Sequence, residues 1–192
     1  YSSAASDVYK RQYYLQPDRV REGMFQVARR LYGITMHPRT DIPVCHPDIE
    51  VFEARDRDGA ALGLLYLDCY ARKGKMQGAA TGTLRRYATD GTREELPLVT
   101  IACNFARAPR GRIQLMSLSQ VKTLFHEFGH ALARLLARGP YQQVTGAYPK
   151  DMVELPSQLM EHWAWEPEAM KSYTCHYLSL IHISEPTRRV VI

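Results

Sequence analysis

His126-Glu127-Phe128-Gly129-His130 is an H-E-x-x-H sequence, and its residue types suit one chemistry in particular. In a helix, residues four apart are separated by about 40° around the axis. Both imidazoles therefore leave one face, a turn apart, where they can grip a single tetrahedral metal ion, and neutral imidazole is a good zinc ligand. Glu127 is turned from His126 by about 100°. It flanks the metal without binding it, and can take a proton from a water that the metal activates. The bland alternative is a helix that buries one histidine and exposes the other.

Two histidines leave zinc short of a ligand. Downstream stand Asp151, Glu154, Glu161, His162, Glu166 and Glu168. Glu154 falls in the first turn of the next expected helix, where a carboxylate suits the N-terminus. Glu161, seven residues on, shares that face two turns away. By spacing alone either one serves as ligand, leaving the other to orient an imidazole from outside the metal shell.

These residues need elements to hold them. Ser117 and Gln120 have the S-x-x-Q form of a capping box, and predict a long helix from about Leu118 to Ala137. Its apolar face carries Val121, Leu124, Phe125, Phe128, Ala131, Leu132 and Leu135. A last helix is expected after Asp151, reaching about Trp165, with Pro156 near its first turn. Upstream, Val20, Met24, Val27, Ala28 and Leu31 recur at helical spacing in Pro17–Gly33. Strands are expected at Val51–Ala54 and Leu62–Tyr70, around the turn Asp56–Gly59, and at Leu96–Phe105. Gly74–Gly82 reads as a mobile loop.

Thr123–His130 (TLFHEFGH) and Val153–Pro167 (VELPSQLMEHWAWEP) resemble the two signatures of one family, the thimet oligopeptidase, oligopeptidase A and peptidyl-dipeptidase group of zinc metallopeptidases. Asp18–Gly33, His46–Ala54, Tyr66–Gly78 and Leu98–Asn104 are similar to its upstream catalytic region. The resemblance implies that the Glu of V-E-x-P-S-Q, Glu154, is the third ligand of one Zn2+ ion beside His126 and His130. It implies Glu127 as general base, with Glu161 of the following E-[NH]-W supporting the site from behind. Gly146 and Tyr148, on the loop between the ligand helices, become candidates for substrate contact. It implies short peptides as substrates, and a fold that is mainly α with a small antiparallel β-sheet, part of a zincin-type catalytic domain. Two departures stand out: Ala133 occupies a position where the family usually has another His, and the loop Thr145–Lys150 is about one residue short. The family's enzymes are several times longer, and their substrate-binding Tyr and His residues lie beyond this stretch. The alternative function is therefore a truncated, inactive piece that at most binds zinc.

The two ends read differently. Residues 2–12 (SSAASDVYKRQ) and 178–188 (LSLIHISEPTR) resemble translated sequencing-library adapters. Residues 1–12 and 178–192 are therefore expected to be non-native, leaving residues 13–177 as the partial catalytic domain.

Composition bounds the rest. The chain has 192 residues, 45% hydrophobic and 23% charged, with a net charge of +5. That balance excludes disorder, collagen and coiled coil. No apolar run approaches a membrane span, so no membrane partner is expected. The basic clusters Arg29-Arg30, Arg72-Lys73-Lys75 and Arg85-Arg86 are scattered and lack interleaved aromatics, which favours solvated faces over a nucleic-acid footprint. Four well-separated cysteines without a C-x-x-C pair favour a reducing, cytoplasmic location. Trp163 and Trp165, two apart, read as packing residues.

Overall fold

A computed structural model describes residues 14–139, 141 and 149–175. Helix α1 spans Pro17–Tyr32. Proline occupies its first turn, where the missing N–H costs nothing, and Arg29 and Arg30 lie in its last turn. Gly33 ends it at φ +75°, its N–H bonded to the Arg29 carbonyl; only glycine takes that left-handed turn without strain. Val20, Met24, Val27 and Ala28 are buried as the spacing requires.

Seven strands follow: β1 (Thr35–Pro38), β2 (Ile49–Arg55), β3 (Ala61–Tyr70), β4 (Ala80–Arg85), β5 (Ala88–Thr89), β6 (Glu94–Glu95) and β7 (Leu98–Phe105). Five form one sheet in the order β1-β2-β3-β7-β4, while β5 and β6 pair as a separate ribbon. The expected antiparallel sheet is in fact mixed, because β3 and β7 run parallel. The chain leaves β3, returns along the far edge as β4, and then threads β7 into the gap between them. This long crossover is the connection that a parallel pair demands. Val99, Ile101, Cys103 and Phe105 alternate into the core along β7.

The glycine-rich stretch was expected to be a mobile loop up to Gly82, but its end is strand β4, which forms because β7 offers it a ladder. The loop ahead of it is tied down. Asp68 takes both guanidinium nitrogens of Arg72 at 2.7 and 2.8 Å and the Lys75 ammonium at 2.9 Å. The Asn104 amide donates to the carbonyls of Met76 and Gly78.

Helix α2 (Leu118–Leu136) starts with the expected capping box: Gln120 N donates to Ser117 Oγ and Ser117 N to Gln120 Oε1. Its apolar face meets the sheet and α1, with Phe25 lying 5.0 Å from the Phe52 ring and 5.7 Å from that of Phe128. Helix α3 is shorter than expected, Leu155–Trp165, with Glu154 rather than Asp151 as its N-cap. Pro156 explains this, since proline fits only the first turn, and residues ahead of it form turns instead. Pro167 ends the helix: the residue before it, Glu166, is extended, as proline requires. A further helix, α4 (Pro167–Tyr173), restarts there. It packs on α1, where a Cβ on Gly23 would come within 2.6 Å of Tyr173. Trp163 and Trp165 are half-buried against the core, in keeping with a packing role. No helix among the described residues is long and apolar enough to cross a membrane.

Candidate metal centre

Helix α2 presents His126 and His130 from one face, their ring centroids 4.9 Å apart and nearly perpendicular. Glu154, at the mouth of α3, places Oε2 3.3 Å from Nε2 of His126 and 3.1 Å from Nε2 of His130. One ligand atom from each of the three side chains lies within 4.8 Å of the others. Gly129 makes this approach possible. A Cβ there would stand 2.4 Å from the Pro156 carbonyl oxygen and 2.6 Å from Ser157 Cα, so only glycine lets α3 begin this close to α2.

Two of the three ligand candidates, His126 and Glu154, are held from behind. Nδ1 of His126 lies 2.7 Å from Glu161 Oε1, and Lys122 Nζ lies 3.1 Å from Glu161 Oε2. Burial pushes the Glu161 carboxyl up, but the hydrogen bonds from His126 and Lys122 outweigh it and hold it below its ordinary range. Ser157, fully buried, sets its Oγ 2.9 Å from Glu154 Oε2 and 2.8 Å from the Glu154 carbonyl oxygen. That hydroxyl, and then the two imidazoles, keep the Glu154 carboxyl below its usual value. Burial lowers His130 against the pull of Glu154, so its ring favours the neutral form.

The donor set fits a cation. With the Nδ1 hydrogen of His126 committed to Glu161, a neutral ring turns its Nε2 lone pair toward the carboxylate of Glu154. Two acceptors facing each other at 3.3 Å repel unless positive charge lies between them, and two imidazole nitrogens with one carboxylate oxygen are a zinc-type set.

Glu127 is 6% exposed and points to the sheet. Thr81 Oγ1 on β4 lies 2.7 Å from its Oε2 and 2.8 Å from its main-chain oxygen. Sequence reasoning missed Thr81, Ser157, Gly129 and Lys122. Ser157 and Gly129 stand inside the two quoted motifs, and Lys122 is one turn before His126, so a helical-wheel argument would have reached it. Nothing local marks Thr81. Gly146 and Tyr148 lie outside the described residues. Of the other histidines, His37 contacts Thr35 Oγ1, and His46 lies 3.7 Å from Asp48. Ala133 borders a recess of about 220 Å³ with Gly129, Leu132, Pro156 and Met160, on the seam between the ligand helices.

The family model for peptidase family M3 matches residues 3–188. The chain belongs to peptidase family M3. Within the family it is 43% identical over 170 residues to oligopeptidase A of Salmonella typhimurium (strain LT2), an alignment covering 85% of this chain and 25% of that protein. It is 41% identical over 161 residues to dipeptidyl carboxypeptidase of Escherichia coli (strain K12), covering 83% and 23%. It is 38% identical over 161 residues to the mitochondrial intermediate peptidase of Arabidopsis thaliana, covering 81% and 23%. The chain thus spans about a quarter of the length of the curated relatives it matches. This M3 segment carries the two-helix cluster in full: both histidines, both glutamates that contact them, and the buried glutamate between.

Proposed function

We propose that the complete protein is a zinc-dependent peptidase of short peptides, with one Zn2+ held by His126, His130 and Glu154. When bound, the ion supplies Lewis acidity that polarises the scissile carbonyl and makes water nucleophilic at neutral pH. Glu127 accepts the proton of the attacking water and passes it to the leaving amine. Glu161 keeps the Nδ1 hydrogen of His126, so that Nε2 stays a lone-pair donor. Among the described residues β4 is paired on one side only, and its open edge offers main-chain groups to an extended peptide. The observation that carries this reading is the convergence of Glu154 Oε2 on both Nε2 atoms, with the other nitrogen of His126 already engaged.

The chain covers only a quarter of its relatives, which favours a second reading for the isolated piece: it binds zinc without turning peptides over. We place the protein in the cytoplasm and take residues 13–177 as its native part. Sequencing the source DNA across both junctions tests the latter.

The test of the metal centre is zinc stoichiometry and peptide turnover in the complete enzyme. Glu154→Gln is expected to lose most bound zinc. Glu127→Gln is expected to keep zinc and lose roughly 100-fold or more in kcat, the range of a lost general base. Zinc retained at full stoichiometry by Glu154→Gln would remove Glu154 from the ligand set.

A further inference from the structure

Glu127 is buried, and among the described residues its carboxylate has one hydrogen-bond partner, the hydroxyl of Thr81. The two are 46 residues apart. Thr81 pairs with Ile101 across the β4–β7 ladder. Paired residues share a sheet face, and Ile101 is fully buried on the face that meets α2, so Thr81 points at the helix.

The hydroxyl is fixed from several directions. The ladder sets its main chain. Asn104 grips the carbonyls of Met76 and Gly78, just ahead of the strand. Oγ1 also lies 2.8 Å from the main-chain oxygen of Glu127, an atom that belongs to the rigid body of α2. The same arrangement, one hydroxyl beside the carbonyl and the carboxylate of one glutamate, recurs where Ser157 meets Glu154. There it is local, three residues along one helix start. At Glu127 it is built across two elements.

We infer that Thr81 is the positioning residue of the general base, holding the Glu127 carboxyl in the one orientation that serves the water beside the metal. The inference rests on Glu127 being that base. A hydroxyl suits the task because it has one hydrogen to give and lone pairs to receive. It donates to Oε2 while the carboxylate is ionised. Among the described residues Oε1 has no such partner, and it is the oxygen that takes the proton of the water, so the bond at Oε2 need not break. The carboxyl thus keeps its place while the proton arrives and leaves. A residue that only fills space makes no such bond.

The test compares Thr81→Val, Thr81→Ser and Glu127→Gln in the complete zinc-loaded enzyme. Thr81→Val keeps the β-branched shape, so β4 is retained, and it should lower kcat by roughly 10- to 100-fold, the cost of a misplaced group. KM and zinc stoichiometry should hold within about twofold of wild type. Thr81→Ser should recover most of kcat because it restores the hydroxyl. A crystal structure of Thr81→Val should show the Glu127 carboxyl displaced, a readout independent of turnover. The inference is overturned if Thr81→Val retains wild-type kcat, if Thr81→Ser is as slow as Thr81→Val, or if the Glu127 side chain stays in place. Should Thr81→Val not fold, the serine variant and a Thr81→Ala crystal structure decide alone. If Glu127→Gln remains active, the base assignment falls and takes this inference with it. If Glu127→Gln is dead while Thr81→Val is fully active, only the role of Thr81 falls.

Discussion

The two helices that carry the proposed metal centre begin in opposite ways. At α2, Ser117 and Gln120 satisfy each other's main-chain donors, an arrangement whose whole effect is to hold the helix end. At α3, the N-cap is Glu154, in a helical rather than extended conformation, and its side chain caps nothing. Its carboxylate is turned to the two imidazoles instead. One start is optimised for stability, more than two turns away from the histidines. The other gives up a cap worth about 1 kcal/mol and turns the freed carboxylate to the two imidazoles, the place of the proposed metal. Position in the chain explains the difference. Ser117 is more than two turns ahead of His126, whereas Glu154 stands where Gly129 lets the two helices touch.

The contact at Gly129 is the most direct way to break that comparison. Helix propensity alone makes Gly129→Ala stabilising by close to 1 kcal/mol in mid-helix. The new Cβ, however, would fall 2.4 Å from a main-chain oxygen of α3, an atom that cannot move without the helix start. The expected result is a loss of about 1–3 kcal/mol of stability, together with a marked fall in zinc affinity as Glu154 is pushed away. Thermal melting and zinc titration of the same variant check it. A stabilised variant with normal zinc binding would mean that the start of α3 is not held by this contact.

What the residues disclosed in advance follows the same division between local and distant causes. The capping box, the paired histidines and the apolar faces of α1 and α2 are periodic or short-range patterns, and the structure repeats them nearly residue for residue. Strands β2 and β3 were visible from the turn signal between them, and β7 from its short apolar, β-branched run. Strand β4 was not: Ala-Thr-Gly-Thr-Leu-Arg has one large apolar residue, the exposed Leu84, and becomes strand because β7 lies beside it. The mixed pairing was hidden for the same reason, since nothing between Ala71 and Pro97 records that β7 will enter next to β3. At the site, spacing could not choose between Glu154 and Glu161 because seven residues return to one helix face. In the structure it is Glu154 that faces both Nε2 atoms, because Pro156 delays α3 until Leu155 and leaves Glu154 in the preceding turn. Thr81 was invisible because its partner is 46 residues away.

Glu161 sharpens the comparison from the other side. It sits in the body of α3, on the far nitrogen of His126, so it belongs to the site without belonging to the helix start. Glu161→Gln retains an acceptor for Nδ1 but removes the charge that also holds Lys122. Zinc affinity should fall by about tenfold, the lower end for a group that orients a metal-binding histidine. Stability of the zinc-free protein should change by well under 1 kcal/mol, because the pair with Lys122 is near the surface. An affinity loss as large as that of Glu154→Gln would show that metal binding depends on Glu161 as much as on the proposed ligand itself.

The smallest effect should come from the helix start that serves only stability. Ser117→Ala removes the acceptor for Gln120 N and leaves Gln120 without its reciprocal partner. The expected cost is about 1 kcal/mol, or a fall of roughly 2–4 °C in Tm for a protein of this size. Zinc affinity should be unchanged, because more than two helical turns separate the cap from His126 and the intervening residues Val121, Leu124 and Phe125 are locked in the core. Calorimetry and zinc titration, run on the same preparation, separate the two quantities. Were zinc binding to weaken along with Tm, fraying at Ser117 would have to reach His126 through those buried residues. The cap would then hold the metal centre as well as the helix, and the contrast between the two starts would be one of degree.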